Sequence, residues 1–413
     1  MSSGAQETHE AIVRFLRSSR KPAIQDAGEE LLALEEGRFA IEVRGGKLTI
    51  EAWNEATNIA RRITGVKDAR PGRLELTVER FGRREGTVVL VDLARGREES
   101  IGRKAARASF RERFRRFLSR QYPEWKIAEL TTEPDLQHSL SPAYPRAHLR
   151  KGRSSVAAIG AAGPEEADGV LTFGLIWLDY LRRREPGQKV ESLALFVPLR
   201  RAKNTCVRLG RLDAGAAGYA VFAFSEEGIE ERIDPRDHGN IDTRLEACPD
   251  TGKNAGVTPE ARLEAAVRSE IEVIDAGLLP SPVYGQVPTV AGVERGVIDL
   301  LAADRTGRLV VIELKAAQDL QLPLQALDYW IRVNWHAGLG EFASRGYFPG
   351  TALRRDSPKL LLVAPALEFH PSTETILRYF SPDIEVERVG LAVPWQNGLR
   401  VLFRARGAQT PLA

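Results

Sequence analysis

Three side chains in one short stretch have types and spacing that could do chemistry together. In GVIDLLAADRTGRLVVIELKA, residues 296–316, Asp299 stands in one apolar run and Glu313 and Lys315 in the next, with the turn sequence ADRTGR between them. A charge placed in a strand that otherwise reads as core is costly unless a partner or a function holds it there. Strand alternation puts Glu313 and Lys315 on one face and Val310, Ile312 and Leu314 on the other. A hairpin through the turn then brings Asp299 close to the charged face. Two carboxylates and one ammonium at one point offer hard oxygen ligands for Mg2+ (or Mn2+), beside a cation that can steady charge developing at phosphorus. The plainer alternative is an ion pair between Lys315 and one of the two acids.

The elements around these residues must hold them there. Thr258-Pro259-Glu260 reads as a helix start, with a capping hydroxyl, proline at the first helical position and then an acid. Along PEARLEAAVRSEIEVI, Leu263, Val267 and Ile271 share a face, and Glu264 lies at its edge. VYGQVP predicts a strand, followed by GVIDLLA and RLVVIELKA as a hairpin. DLQLPLQALDYWIRVNW then predicts a helix with Pro323 near its first turn, on which Gln325 and Tyr329, four apart, share a face. KLLLVAP, DIEVERVGLAV and GLRVLFRAR read as further strands, and PSTETILRYF as a helix.

This order resembles that of the PD-(D/E)XK nuclease superfamily: helix with an acid, strand, strand with Asp, strand with E-x-K, helix. Asp299 stands for the superfamily's aspartate and Glu313-Leu314-Lys315 for its (D/E)-x-K. Gln325 to Tyr329 matches the Q-x-x-x-Y helix motif of the RecB-like branch. The stretch also looks like the catalytic core of NucS-type endonucleases, where I-D-L-L precedes V-I-E-L-K. Ile298 replaces the proline that names the superfamily. The resemblance spans residues 258–404 and implies a restriction-endonuclease-like α/β/α sandwich with a mixed sheet over 256–413. It further implies Mg2+-dependent hydrolysis of phosphodiester bonds, with DNA as the expected substrate and repair or defence as the expected setting. On that basis Asp299 and Glu313 would bind the metal, helped by the backbone carbonyl of Leu314. Glu264 would complete the shell directly or through water, and Lys315 would position the attacking water. Gln325 would orient Lys315 or a phosphate, and Tyr329 would support the site or contact nucleic acid. The competing expectation is a non-catalytic module on the same fold that binds nucleic acid or protein.

The remainder of the chain is α+β in pattern. At 413 residues, two or three domains are expected. Residues 1–36 read as a helical lead-in, 37–130 as an N-terminal α+β module, 131–154 as a loop and 155–250 as a second α/β module. In the first module RFAIEVRGGKLTIEAW and RLELTVERFGRREGTVVLVDLAR predict hairpins, and NEATNIARRITG between them a helix. In the second, SVAAIGAA, SLALFVPL, NTCVRLGRL and GYAVFAFS read as strands and EEADGVLTFGLIWLDYLRRRE as a helix. His138 and His148 fall in the expected loop, without a defined partner. No internal repeat is evident.

The net charge of +3 says little, but its distribution is uneven. A helix with Phe110, Phe114, Phe117 and Leu118 on its core face carries Arg107, Arg111, Arg115 and Arg116, which could meet phosphates. No apolar run is long enough to span a bilayer. Cys206 and Cys248 lack metal or disulfide spacing, which points to the cytoplasm. A homodimer or a protein partner held through the N-terminal modules is a further expectation.

Overall fold

A computed structural model describes residues 3–26, 32–44, 47–53, 58–80, 84–135, 137–225, 228, 230–238, 243–246, 258–291 and 294–409. The chain divides between Ser109 and Phe110 into two compact units. No helix among the described residues is long and apolar enough to cross a membrane.

The first unit is a helix on an antiparallel sheet. Helix α1 (Ser3–Ser18) precedes strands β1 (Pro22–Asp26), β2 (Leu32–Ala33), β3 (Phe39–Arg44), β4 (Lys47–Trp53), β5 (Asn58–Arg70), β6 (Arg73–Arg80) and β7 (Arg84–Asp92), in the order β2-β1-β7-β6-β5-β4-β3. Both expected hairpins form, β3 with β4 and β6 with β7. The lead-in does not stand apart. Ile12 and Phe15 of α1 and Ile24 of β1 are buried with Ile50, Ile59 and Leu76 in one core. The expected helix over NEATNIARRITG is instead strand β5, with residues 54–57 outside the described set. Its Arg61 lies between the buried Ile59 and Ile63 in the strand and pairs with Asp26, which is buried on β1. A partner 35 residues away therefore lets this charge sit in a strand whose local pattern reads as a polar helix face.

Helix α2 (Leu93–Gln121) runs from the first unit into the second. Phe110, Phe114, Phe117 and Leu118 are buried, as their spacing predicts, against Phe196, Phe222 and Phe224. The second unit continues with β8 (Lys126–Thr131), β9 (Arg146–Lys151), β10 (Ser154–Gly160), α3 (Val170–Arg184), β11 (Lys189–Pro198), α4 (Leu199–Leu209), β12 (Gly218–Phe224) and β13 (Glu230–Ile233). Two expectations fail here. The 131–154 segment is not a surface loop, because β9 within it is an interior strand of the sheet and is mostly buried. NTCVRLGRL is not a strand, because its first six residues complete helix α4, which buries Ala202, Thr205, Cys206 and Leu209 along one side.

The remaining elements are β14 (Thr243–Leu245), α5 (Pro259–Ser269), β15 (Tyr284–Ala291), β16 (Glu294–Ala303), β17 (Leu309–Leu314), α6 (Leu322–Leu339), β18 (Lys359–Pro365), α7 (Ser372–Leu377), β19 (Val386–Leu391) and β20 (Val401–Arg406). They form the expected α/β/α sandwich on a mixed sheet. Leu263 and Val267 of α5 cover one face with Leu300, Val310 and Ile312. Leu327, Trp330 and Ile331 of α6 cover the other with Leu309, Val311 and Leu362. Thr258 caps α5 by accepting from the Ala261 N–H, as predicted.

The structure contains a repeat that the sequence conceals. Strands β8 to β13 run antiparallel, antiparallel, parallel, parallel, antiparallel along their sheet. Strands β15 to β20 follow the same succession. Helices α3 and α6 follow the third strand of each run, and α4 and α7 the fourth. Leu195 pairs with Val221 and Leu362 with Arg388 at the same sequence separation.

The two halves meet reciprocally. Asp213 N donates to Tyr379 O at 2.8 Å and Ser381 N to Arg211 O at 2.9 Å, around an antiparallel bridge between Leu212 and Phe380. Arg208, at the end of α4, pairs with Asp328 on α6 at 2.6 Å. Arg378, just beyond α7, lies 3.6 Å from Asp179 on α3. Thr172 near the start of α3 donates to Gln321 just before α6, at 2.6 Å. Each half gives the contact it receives, which is the signature of a two-fold interface.

His148 is fully buried on β9, and neither ring nitrogen has a hydrogen-bond partner. Burial pushes its pKa below the ordinary 6.5, against the opposing pull of Glu185. Below that value the unfolded chain binds the proton more readily, so stability falls with pH by up to about 1.4 kcal/mol per unit. Thermal unfolding of the wild type should therefore shift down from pH 7 to pH 5.5 by more than that of His148→Leu. Equal shifts would show that the histidine does not contribute.

Candidate active site

The site is built where β16, β17 and the start of α6 converge. Leu300 pairs with Ile312, so the next ladder position sets Asp299 opposite Glu313. Asp299 Oδ2 accepts the Leu314 N–H at 2.9 Å, which fixes one carboxylate against the neighbouring strand. Glu313 is fully buried on the α6 side of β17, and its Oε1 accepts from Lys315 Nζ at 3.3 Å. Its Oε2 is buried with no hydrogen-bond partner. Lys315 also lies 3.7 Å from Asp319 Oδ2, on the segment leading into α6.

The electrostatics follow from this crowding. Burial, and then the charge of Asp299, hold Glu313 well above the usual carboxylate range, with Lys315 opposing. Burial raises Asp299 as well, against the Leu314 N–H and Lys315. Lys315 loses solvation, but Glu313, Asp299 and Asp319 more than offset that and raise its pKa. One cation thus faces two acids, one fully and one partly buried, that oppose each other.

Glu264 comes from α5. It is 8% exposed, and Gln286 Nε2 donates to its Oε2 at 2.6 Å. Burial raises its pKa first, and the charge of Asp299 adds to that, so the two acids share a field. Gln286 was not singled out in the sequence. It sits in β15 with φ +52°, between the ladder pairs Gly285–Leu300 and Val287–Ile298, and so opposite Asp299. A left-handed residue inside a strand is uncommon outside glycine and marks a place where the backbone is turned to aim a side chain. Gly285 beside it leaves the space that Glu264 fills, since a Cβ there would lie 2.5 Å from Glu264 Oε1. Gly285→Ala should cost less than about 1 kcal/mol of stability, because the obstructing atoms end a flexible side chain. If these acids hold a divalent ion, displacing Glu264 should weaken its binding by about 10- to 100-fold. Titration calorimetry with Mn2+ reads this directly, and unchanged affinity would remove Glu264 from the site.

Gln325 and Tyr329 do share a face of α6. Gln325 Nε2 donates to Tyr329 Oη at 3.3 Å, which ties the amide to the phenol. Burial raises the Tyr329 pKa, and the charges of Glu313 and Asp299 add to it, so the ring lies within reach of the acidic pair's field. Among the described residues, no three acidic, histidine or cysteine side chains form a ready-made metal cage. Asp299 and Glu313 face each other across the β16–β17 ladder, and Glu264 on α5 lies within the field of Asp299.

Comparisons with known proteins add little at the level of the whole chain. No family model matches it, and no curated protein does. Among solved structures it is similar to EndoMS in a double-stranded DNA complex, at 11% identity and a TM-score of 0.26 over 93% of each chain. It is also similar to a repair endonuclease from Pyrococcus abyssi, at 11% identity and a TM-score of 0.20 over 91% of each chain. Likeness this slight carries no weight for function, which rests on the geometry above.

The first half of the repeat keeps the frame and lacks the acids. Lys315 N donates to Val363 O, and Ala161 N donates to Phe196 O at the matching point of the other sheet. Two residues back along the strand, Ile159 takes the place of Glu313, and its ladder partner Arg146 takes the place of Asp299. The arginines of α2 are mostly at the surface. Arg111 donates to Leu130 O, Arg115 pairs with Glu112, and Arg116 is exposed.

Proposed function

We propose that the C-terminal half is a metal-dependent nuclease that hydrolyses phosphodiester bonds of DNA. The observation that carries this reading is the buried Glu313, whose Oε2 has no partner although Asp299 lies opposite and Lys315 beside it. A structural ion pair would use one acid and satisfy its oxygens, because an uncompensated buried charge costs several kcal/mol, on the order of 3–5. Two acids with an open oxygen suit a hard divalent cation.

Asp299, Glu313 and the Leu314 carbonyl would hold Mg2+ or Mn2+, with Glu264 completing the shell directly or through water. The bound ion would supply Lewis-acid polarisation of a phosphoryl oxygen. Lys315, kept protonated by its acidic neighbours, is poised to donate hydrogen bonds to the attacking water and to a phosphoryl oxygen as charge develops. Tyr329, fixed by Gln325, limits the wall of the site on the α6 side. Arg115 and Arg116 would contribute phosphate contacts that hold DNA without reading its sequence.

The test incubates the full chain with supercoiled, linear, single-stranded and branched DNA across a Mg2+ and Mn2+ series. Cleavage that requires metal is expected. Cleavage in excess chelator, or no cleavage of any substrate, would refute the reading.

A further inference from the structure

We infer that this chain is an internal pseudo-dimer with one working site, and that it nicks a duplex instead of breaking both strands. The inference rests on the nuclease reading above and adds the number of strands cut per encounter. Duplex DNA presents two antiparallel strands related by local dyads, so a protein two-fold can present equivalent groups to both. In this chain the two-fold is internal: strand order, strand direction and reciprocal contacts relate the two halves.

The halves are unequal in chemistry. At the three positions that carry Asp299, Glu313 and Lys315 in one half, the other carries Arg146, Ile159 and Ala161. Arg146 cannot ligate a cation, and it is committed elsewhere. It is 2% exposed, with Nη1 donating to Ser141 O at 2.8 Å and Nη2 to Glu133 O. The first half is thus locked against metal binding at this place. Nor can a second chain restore symmetry by docking on the helical face of the active half, because α3 and α4 already cover α6 and α7 there.

The decisive experiment follows supercoiled plasmid under protein excess in Mg2+ or Mn2+. Nearly all the DNA should pass through the open-circular form before any linear form accumulates, whatever the protein concentration. Linear product appearing as fast as supercoiled DNA disappears, or rising in share with added protein, would overturn the inference while leaving the nuclease reading intact. A second readout does not depend on turnover. Mn2+ binding, counted by electron paramagnetic resonance, should be lost entirely in the double variant Asp299→Asn, Glu313→Gln. Tight Mn2+ binding retained by that variant would place a site in the other half and overturn the one-site inference alone. Plasmid left intact at every metal concentration would overturn the nuclease reading, and nicking with it.

Discussion

Glu313→Gln should lower the single-turnover cleavage rate by about three orders of magnitude, and Lys315→Ala by about two, the range typical of groups that stabilise developing charge. The informative part is stability, which should move the other way in Glu313→Gln. Glu313 is buried, with one oxygen unpartnered and an acid opposite, so the neutral amide removes a desolvation cost and a repulsion. Its chemical denaturation midpoint should stay level or rise. If the cluster were a structural ion pair, the same substitution would lower the midpoint and leave any cleavage intact. Activity and stability together therefore separate a site held ready for a cation from a salt bridge held for its own sake.

The largest stability effect is expected where the two halves meet. Arg208 meets Asp328 through two parallel hydrogen bonds, Nε to Oδ1 at 2.8 Å and Nη2 to Oδ2 at 2.6 Å, and its Nη1 donates to Asp168 O. Arg208 is 9% exposed, and the pair lies in the layer where the halves meet. Arg208→Ala strips Asp328 of its cation and should cost about 3–5 kcal/mol in urea denaturation. Arg208→Met with Asp328→Leu should recover part of that, since apolar groups of similar volume remove the unpaired carboxylate, while the Asp168 carbonyl loses its donor. A loss below about 1 kcal/mol in the single variant would mean that the pair is solvent-screened and the interface is held by apolar packing alone.

The strand pair of the candidate site was legible because its information is local. Alternation from Leu309 to Lys315 sorts faces without knowledge of any other element, and spacing alone puts Gln325 on the same side of a helix as Tyr329. The failures share a different cause. Arg61 in β5 and Arg208 in α4 sit where the core lies, each satisfied by an acid distant in sequence, Asp26 and Asp328. Without sight of those partners the charges read as solvent faces, and the periods on either side are misjudged. His148 was misplaced for a related reason. The long polar lead-in from Thr131 to Pro145 hides an interior strand that starts at Arg146.

Gln286 and the repeat lay beyond local reading altogether. No composition rule foretells that a glutamine inside a strand will adopt φ +52° to reach Glu264. The repeat survives as topology, with SLALFVP and KLLLVAP the nearest that two equivalent strands come in sequence. Apolar identity in a fully covered strand is nearly free to vary, whereas strand direction and register are not.

The exchange of backbone hydrogen bonds between 211–213 and 379–381 also bears on synthesis. Those segments lie more than 160 residues apart, so closing them is a late and entropically costly step. Until the second half has been translated, α3 and α4 carry an apolar surface with nothing on it. The nascent chain is then most prone to aggregate in the interval between completion of β13 and docking of α7, and a ribosome-bound holdase acting in that window would raise its yield more than one acting on the finished protein.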